Sequence, residues 1–252
     1  MRDWRVGQIQ KLPNVSVYRE SEVSAEQALE MGAQHIVVAT GARWRADGFG
    51  RHNHKAIPVR PGAITVLSAD DVLDDKTFEG PVLVFDDDDY YLGGVIAETL
   101  RKRGIDVTLA TPSPLVSAWT VATLEQEKIQ RRLLEIGVRI ACNQNLAAIG
   151  PREVELACVF TGRITLEAVK TVVMVTARLP VSSLYDALVE RLSRAGHGAD
   201  HGVRSVTRIG DCIAPGTIAS AVFSGRRYAE SLDAARPDDE IVAFRTEPVA
   251  VG

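Results

Sequence analysis

The middle of the chain alternates short apolar runs with an amphipathic stretch. Pro81–Phe85 and Ile105–Ala110 are apolar runs of strand length, and between them apolar residues recur with helical spacing over Val95–Arg103. Gly104 follows as a helix stop. The pattern predicts a strand–helix–strand unit whose two strands pair in parallel through a right-handed crossover.

The apolar period shortens to two between residues 144 and 176. Alternation over 146–149, 153–160 and 163–168 predicts three strands joined by short turns, with Thr161-Gly162 as a hairpin signal. We therefore expect an antiparallel meander, which leads into a buried strand.

The flanking segments carry weaker patterns. Asn14–Tyr18 alternates apolar and polar residues, which predicts a half-buried strand. The apolar run from His35 to Ala42 predicts a buried strand that feeds a tight turn. Val206–Ile209 predicts a last strand, followed by a closing helix over 217–232 and a polar tail over 236–252.

Composition narrows the function classes. The chain has 252 residues, 46% of them hydrophobic, and a net charge of −4. The absence of a basic stretch argues against a nucleic-acid partner, which needs clustered Lys and Arg. No apolar run in the sequence approaches the roughly 20 residues of a membrane span, and the start has no signal-type apolar region, so we expect a cytoplasmic protein without a membrane partner.

Cysteine and histidine spacing gives no strong metal signal. Cys142, Cys158 and Cys212 lie far apart, which disfavours a zinc or iron–sulfur site and favours small buried thiols in a reducing compartment. His52 and His54 lie in a polar stretch that is either a surface loop or a weak metal site. We assign no metal-binding residue.

Two short motifs bracket the central unit. The first, at 37–42, is Val-Val-Ala-Thr-Gly-Ala; the second, at 209–215, is Ile-Gly-Asp-Cys-Ile-Ala-Pro, directly before the closing helix. Each motif alone is common. In this order, about 170 residues apart, they are similar to the paired motifs of flavoproteins that have two dinucleotide-binding domains.

Longer segments make the resemblance more specific. They are Gly41-Ala-Arg-Trp44, the run from Asp86 to Gly94, Val116-Ser-Ala-Trp119, Leu124-Glu-Gln and the run from Gly210 to Pro215. In this order they resemble the C-terminal half of the trimethylamine, dimethylamine and histamine dehydrogenase family. That family is related to the old yellow enzyme-like flavin oxidoreductases, the 2,4-dienoyl-CoA reductases and bacterial N-demethylases.

The resemblance implies an α/β fold with a glutathione-reductase-like arrangement of two domains. Residues 1–72 and 177–252 would form an incomplete, discontinuous FAD/ADP-binding-like domain. Residues 73–176 would form an inserted Rossmann-like domain, a parallel sheet with the β-meander.

The resemblance also implies the cofactor-binding residues of the first domain, where FAD or ADP would lie. The second motif's carboxylate would bond a sugar or ribityl hydroxyl, and the helix start after it would offer N–H groups to phosphate. The residues concerned are Thr40, Gly41, Ala42, Arg43, Gly210, Asp211, Thr217 and Ile218. Asp211 could instead only cap its own turn.

Two family features are missing from the sequence. Members begin with a barrel that carries FMN and a four-iron cluster, followed by a strand and G-x-G-x-x-G, and the chain has neither. We therefore expect a fragment or separately made C-terminal portion, whose partner is the barrel as a domain or subunit. The whole enzyme would be a homo-oligomer, with an electron-transfer flavoprotein as a candidate partner.

The second nucleotide loop is also degenerate. In a G-x-G-x-x-G frame Gly93 takes the third glycine's place, whereas Asp88 and Tyr90 stand where the first two glycines belong. The acidic run at 86–89 repels phosphate, and Thr111 ends the next strand without a ribose-binding acid. We expect no NAD(P)H binding. The four carboxylates are either a solvated turn or a divalent-metal site.

The leading function is thus the dinucleotide-binding part of a flavin-dependent oxidoreductase that acts on an amine or N-methyl compound. The chain alone would be inactive, and no catalytic residue is assigned within it. The alternative is a non-catalytic structural module, or one that docks an electron-transfer partner or another subunit. A free-standing NAD-dependent dehydrogenase is disfavoured by Asp88 and Tyr90.

Overall fold

The computed structural model describes residues 2–194 and 202–232. The polar tail predicted at 236–252 lies outside the described residues. The helices are α1 (Arg2–Ile9), α2 (Ala25–Glu30), α3 (Ala69–Leu73), α4 (Leu92–Lys102), α5 (Gln126–Glu135), α6 (Ser183–Arg194) and α7 (Ile218–Ser231). The strands are β1 (His35–Val38), β2 (Ala42–Trp44), β3 (Thr65–Ser68), β4 (Val82–Asp86), β5 (Val107–Ala110), β6 (Arg139–Ala141), β7 (Gln144–Ile149), β8 (Glu153–Cys158), β9 (Ile164–Ala168), β10 (Thr171–Val175), β11 (Arg178–Pro180) and β12 (Ser205–Arg208).

The described chain divides into two compact units. Among the described residues, the first comprises 2–39, 182–194, 202–209 and 225–232, and the second comprises Thr40–Val181 and Gly210–Ser224. These bounds differ from the predicted boundaries after residues 72 and 176, because β2 and β3 pair with strands of the second unit. The two-domain division implied by the resemblance stays a prediction.

A five-stranded parallel sheet organises the second unit. Its order is β3-β10-β4-β5-β6, and all its pairings are parallel. The chain passes from β4 through α4 to β5, which confirms the predicted strand–helix–strand unit. The mixed α/β fold with a parallel sheet is therefore present.

The two faces of the sheet have different covers, because successive side chains of a strand point to opposite sides. Val82 and Val84 pack with helix residues such as Ile96 and Leu100. Leu83 and Phe85, together with Met174, pack with buried residues of β7 and β8. Full burial of each large apolar side chain contributes about 1.5–3 kcal/mol.

The meander follows the predicted strands closely. β7, β8 and β9 form an antiparallel sheet, with an irregularity between Leu146 and Ala148. A further antiparallel pair joins β2 to β11 and sets Trp44 opposite Arg178. That pair was not predicted, because each strand has only three residues.

Capping chemistry sets the start of two short helices. Ser24 accepts a hydrogen bond from the Gln27 N–H, and the Gln27 side chain accepts one from the Ser24 N–H. Ser68 and Asp71 form the same reciprocal pair at the start of α3. Each pair is a capping box, which satisfies two N–H groups at the start of its helix.

The first unit has a parallel pair of strands, β1 and β12, and α2 packs with α6. Leu29 and Leu188 are buried there. The strand predicted over 14–18 is wrong: these residues, all of them described, form no strand, and Val17 and Tyr18 are exposed. Alternation without a neighbouring strand to pair with is not sufficient for a strand.

Candidate functional site

The carboxyl edge of the parallel sheet carries the candidate site. The chain leaves β4 toward β5 on one side, whereas β10 lies on the other side of β4. Ligands of open α/β sheets bind in the crevice at such a switch point. Two segments meet there: Asp86–Asp89, called the acidic turn below, and Thr176–Arg178, which follows β10.

Asp86, the first residue of the acidic turn, is fully buried. Its Oδ1 accepts hydrogen bonds from the N–H groups of Asp88 (3.1 Å) and Asp89 (3.2 Å), whereas Oδ2 has no partner among the described residues. Burial, reinforced by the charges of Asp89 and Asp88, raises the pKa of Asp86 to about 8. Its carboxyl group is thus mostly protonated at neutral pH.

The lack of a side chain at Gly93 leaves room for the carboxyl group of Asp86. A Cβ at Gly93 would lie 2.2 Å from Oδ2 of Asp86, inside any allowed contact. The glycine assigned to the third fingerprint position therefore permits close approach of α4 to β4. The group that approaches Gly93 here is the side chain of Asp86.

Asp87 is also fully buried, but it is well paired. Its carboxylate accepts hydrogen bonds from the N–H groups of His52 (3.1 Å to each oxygen) and Asn53 (3.3 Å), and His52 Nδ1 lies 2.6 Å from its Oδ1. A Cβ at Gly50 would lie 2.2 Å from Oδ2 of Asp87. The loop around His52 is thus folded over this carboxylate, and His52 serves as its hydrogen-bond partner.

The last two residues of the turn face different neighbours. Asp89, at a φ of 62°, is buried, and its Oδ1 lies 3.4 Å from the hydroxyl of Thr111. Asp88 is partly exposed, and Arg51 Nε donates to its carbonyl oxygen at 2.9 Å. Burial raises the pKa of Asp88, although Arg51 and Arg178 oppose that shift.

The acidic turn is therefore not the solvated turn that the sequence allowed, because three of its four side chains are buried. Across the described residues no group of three or more His, Cys, Asp or Glu side chains is arranged to hold a metal ion. The carboxyl groups of Asp86 and Asp87 instead accept hydrogen bonds from backbone N–H groups. Such groups are what a phosphate would need.

A pocket of about 580 Å³ opens beside the acidic turn, within the second unit. We call it the switch-point pocket. Its lining includes Arg51, Asp88, Tyr90, Trp119, Thr176 and Arg178. Its volume lies in the ordinary range of small-molecule sites.

The structure brings several predicted cofactor residues close together. The Thr40 hydroxyl donates to the Val181 carbonyl and lies 3.3 Å from Cys212 Sγ, next to Asp211. Gly41 has a φ of 75° and accepts a hydrogen bond from the Val181 N–H at 2.9 Å. Gly210, at a φ of 64°, donates its N–H to Ser224 Oγ at 3.0 Å.

Asp211 is already engaged. Arg178 Nη1 donates to its Oδ2 at 2.9 Å, and the Gly216 N–H donates to its Oδ1 at 3.1 Å. Arg178 Nη2 also donates to the Gly216 carbonyl at 2.9 Å. Both carboxylate oxygens thus hold the segment that precedes α7.

Not all of the other predicted cofactor residues lie in the group around Thr40 and Asp211. Thr217 Oγ1 accepts a hydrogen bond from the Ser220 N–H at 3.2 Å and so caps the start of α7. Ile218 is 80% exposed. Ala42 and Arg43 lie in β2, where the Arg43 side chain is exposed.

Sequence reasoning missed Arg178, which holds Asp211 in place. Its guanidinium carbon lies 5.1 Å from the centre of the Trp44 ring, and it pairs with Asp211. The Trp44 N–H in turn donates to Asp70 Oδ2 at 2.9 Å. No local motif marks Arg178, because its position depends on the β2–β11 pairing.

The fold and site define a class: an α/β protein with a Rossmann-like parallel sheet and a pocket at its switch point. No helix in the described ranges is long and apolar enough to cross a membrane. No protein-family model matches the chain.

Comparison with known proteins finds relatives that match most of the chain. The chain is 29% identical over 264 residues to dimethylamine dehydrogenase of Hyphomicrobium sp. (strain x), covering 95% of the chain and 35% of that protein. It superposes on histamine dehydrogenase from Rhizobium sp. 4-9 with a TM-score of 0.89 and 37% identity, covering 98% of the chain and 38% of the other. It superposes on 6-hydroxypseudooxynicotine amine oxidase from Pseudomonas geniculata N1 with a TM-score of 0.79 and 37% identity, covering 89% and 33%.

The chain is homologous to dimethylamine and histamine dehydrogenases over most of its own length, which confirms the resemblance seen in the sequence. It spans a little over one third of the length of the relatives it matches.

Proposed function

We propose that this chain is the dinucleotide-binding part of a flavin-dependent oxidoreductase that acts on an amine or N-methyl compound. The observation that carries the proposal is the match to histamine dehydrogenase over 98% of the chain. The names of the relatives describe amine dehydrogenation and amine oxidation, and the substrate of this protein is inferred from them only as a class.

The proposed architecture is the glutathione-reductase-like pair of domains. Residues 1–72 and 177–252 would form the incomplete first domain, and 73–176 the inserted Rossmann-like one. The catalytic FMN and iron–sulfur cluster would belong to a barrel domain or subunit. That barrel, an electron-transfer flavoprotein and further copies of the whole enzyme are the proposed partners.

The proposed cofactor of the first domain is ADP or FAD. Thr40, Gly41, Ala42 and Arg43 would form one side of its site, and the residues from Gly210 to Ile218 the other. Asp211 would bond a sugar hydroxyl, held in place by Arg178. A carboxylate that is already oriented loses less conformational entropy on binding.

ADP and FAD titration of the full chain, by calorimetry, tests this proposal. Asp211→Asn keeps the shape of the side chain and removes its charge, so ADP or FAD affinity should fall about 10- to 150-fold, the loss of one charge-assisted hydrogen bond. The matched control is Asp106→Asn, since Asp106 is an exposed acid paired with Arg101. Equal affinity of the wild type and Asp211→Asn would contradict the assigned role.

A second candidate function is a structural or docking module without a bound nucleotide. It is favoured by one observation: both oxygens of Asp211 and the N–H groups around the acidic turn have partners within the chain itself. A chain that folds cooperatively and binds neither ADP nor FAD would favour this candidate over the first.

A further inference from the structure

The meander of β7, β8 and β9 leaves one of its two edges open. The edge formed by β7 is met by the chain itself: the Ile149 N–H donates to the Pro58 carbonyl oxygen, and the Gln144 N–H donates to the Thr111 carbonyl oxygen, both at 2.9 Å. Within the described residues β9 pairs only with β8. The outer edge of β9 therefore presents backbone groups that a further strand could pair with.

The hydrogen-bond pattern shows which residues face this open edge. The Cys158 N–H donates to the Arg163 carbonyl oxygen at 2.9 Å. Because hydrogen-bonded and non-hydrogen-bonded pairs alternate along an antiparallel ladder, every second residue from Arg163 onward directs its backbone groups at β8. Ile164, Leu166 and Ala168 direct theirs away from β8, and no other backbone group in the described part of the chain bonds to them.

The side chains of β9 do not protect this edge. Ile164 and Leu166 are 46% and 56% exposed. β9 contains neither lysine nor proline, and its pairing with β8 has no bulge, although these are the devices that ordinarily stop a strand edge from pairing. Its one charged residue, Glu167, is neutralised by a salt bridge to Arg139 of β6. An edge of this kind is suited to a further strand.

The sequence of β9 is self-complementary in one antiparallel register. When Thr165 lies opposite Thr165 of a second copy, Ile164 of each copy lies opposite Leu166 of the other, and Arg163 of each copy lies opposite Glu167 of the other. Aliphatic, hydroxyl and opposite-charge pairs are the cross-strand pairs that stabilise sheets. The outward-facing backbone groups of Ile164 and Leu166 then meet as hydrogen-bonded pairs.

The charges select this register. The Arg163 side chain is exposed, and no carboxylate in the described ranges pairs with it. The contacts of Glu167 with Arg139 and with the hydroxyl of Thr108 both use Oε1, which leaves Oε2 for Arg163 of a second copy. A shift of the register by two residues in either direction separates Arg163 from Glu167.

We infer that β9 is a self-association surface, where a second copy of this chain pairs antiparallel about Thr165 and joins the two three-stranded meanders into one six-stranded sheet. The contact is isologous, since the same residues lie on both sides of a two-fold axis. The inference deepens the proposed association of copies by naming its surface, and it needs no bound nucleotide. Nucleotide titration and self-association can therefore fail independently of each other.

Sedimentation equilibrium of the full chain tests the inference. β9 has five residues, so the contact is smaller than a standard interface, and we expect a monomer–dimer equilibrium with a dissociation constant of about 100 µM. Leu166→Lys should weaken dimerisation at least about 5-fold, because it places a charge on the strand edge. The matched control is Leu134→Lys, since Leu134 on α5 is also 56% exposed, and this variant should dimerise as the wild type does.

An exchange of charges tests the register. Arg163→Glu should weaken dimerisation at least about 10-fold, because two like-charge pairs replace two opposite-charge pairs. Arg131→Glu, at an exposed arginine of α5, is its control and should leave dimerisation unchanged. Glu167→Lys should weaken dimerisation for the same reason as Arg163→Glu. An equal mixture of Arg163→Glu and Glu167→Lys restores both opposite-charge pairs and should dimerise within about 3-fold of the wild type.

Thermal unfolding of each variant shows whether it folds. Should Glu167→Lys not fold, Leu166→Lys and Arg163→Glu decide, because both change exposed side chains. A chain that stays monomeric up to about 500 µM overturns the inference. A dimer that neither of these two variants weakens overturns it as well, since another surface would then hold the copies together. Folded Arg163→Glu and Glu167→Lys variants that do not associate with each other also overturn it.

Discussion

The buried carboxyl group of Asp86 should make the stability of the protein depend on pH in an unusual direction. Asp86→Asn is the informative change, because the amide matches the protonated carboxyl group in size and charge. Its Oδ1 can keep the two hydrogen bonds from Asp88 and Asp89. The variant therefore removes the ionisation and preserves the turn.

The sign follows from the two protonation states. The carboxyl group of Asp86 loses its proton near the ordinary aspartate pKa of 3.8 in the unfolded chain, and at a pKa of about 8 in the folded chain. Between these values the folded state holds one more proton, so stability falls as pH rises. The slope is up to about 1.4 kcal/mol per pH unit, and it ends above pH 8.

Urea unfolding at several pH values between 5 and 8 measures the effect. Asp86→Asn should lack this slope. The free energy of unfolding of the variant minus that of the wild type should therefore increase by about 2–3 kcal/mol from pH 5 to pH 7. Other groups titrate equally in both proteins and cancel in the difference. Asp74→Asn, at the exposed end of α3, is the control and should track the wild type.

A constant difference between Asp86→Asn and the wild type over this range would refute the reasoning. It would mean that the Asp86 carboxyl group is ionised in the folded protein as it is in the unfolded chain. The unpaired Oδ2 and the close approach of Gly93 would then need another explanation.

Three further predictions test the site and its relation to the family. Gly93→Ala should destabilise the chain by about 1–3 kcal/mol in thermal or urea unfolding, because its Cβ would lie 2.2 Å from Asp86 Oδ2; Gly94→Ala, whose Cβ would lie 3.3 Å from Ile129 Cγ2, should cost less, and equal losses would contradict this. NADH and NADPH should bind the wild type more weakly than about 1 mM by calorimetry, so micromolar binding would show that the acidic turn does not exclude a diphosphate. The chain alone should give no amine-dependent dye reduction, and measurable turnover would count against the assignment of catalysis to a separate barrel.

Local patterns were enough to predict much of the fold. The strand–helix–strand unit around α4 and the meander from β7 to β9 follow from apolar periods of 3.6 and two, which depend only on neighbouring residues. The caps at Ser24 and Ser68 are equally local, because a cap needs only its own first turn. The isolated alternation over 14–18 failed, because a strand also needs a partner strand.

The four consecutive aspartates show what only the tertiary structure decided. The sequence offered a solvated turn or a metal site, yet the fold places Asp86 under α4, Asp87 under the loop of His52 and Asp89 against Thr111. Burial and pairing of adjacent residues depend on which distant segments cover them.

The candidate site also has features that the sequence predicted and features that only the tertiary structure decided. The motifs around Thr40 and Asp211 could be found by their order along the chain, and with the longer segments they carried the resemblance to the family. Arg178 could not be found, because a three-residue antiparallel pairing sets it beside Trp44 and Asp211, and no local pattern encodes that register. The unpaired hydroxyl of Thr176 likewise exists only once β10 and its neighbours have enclosed it.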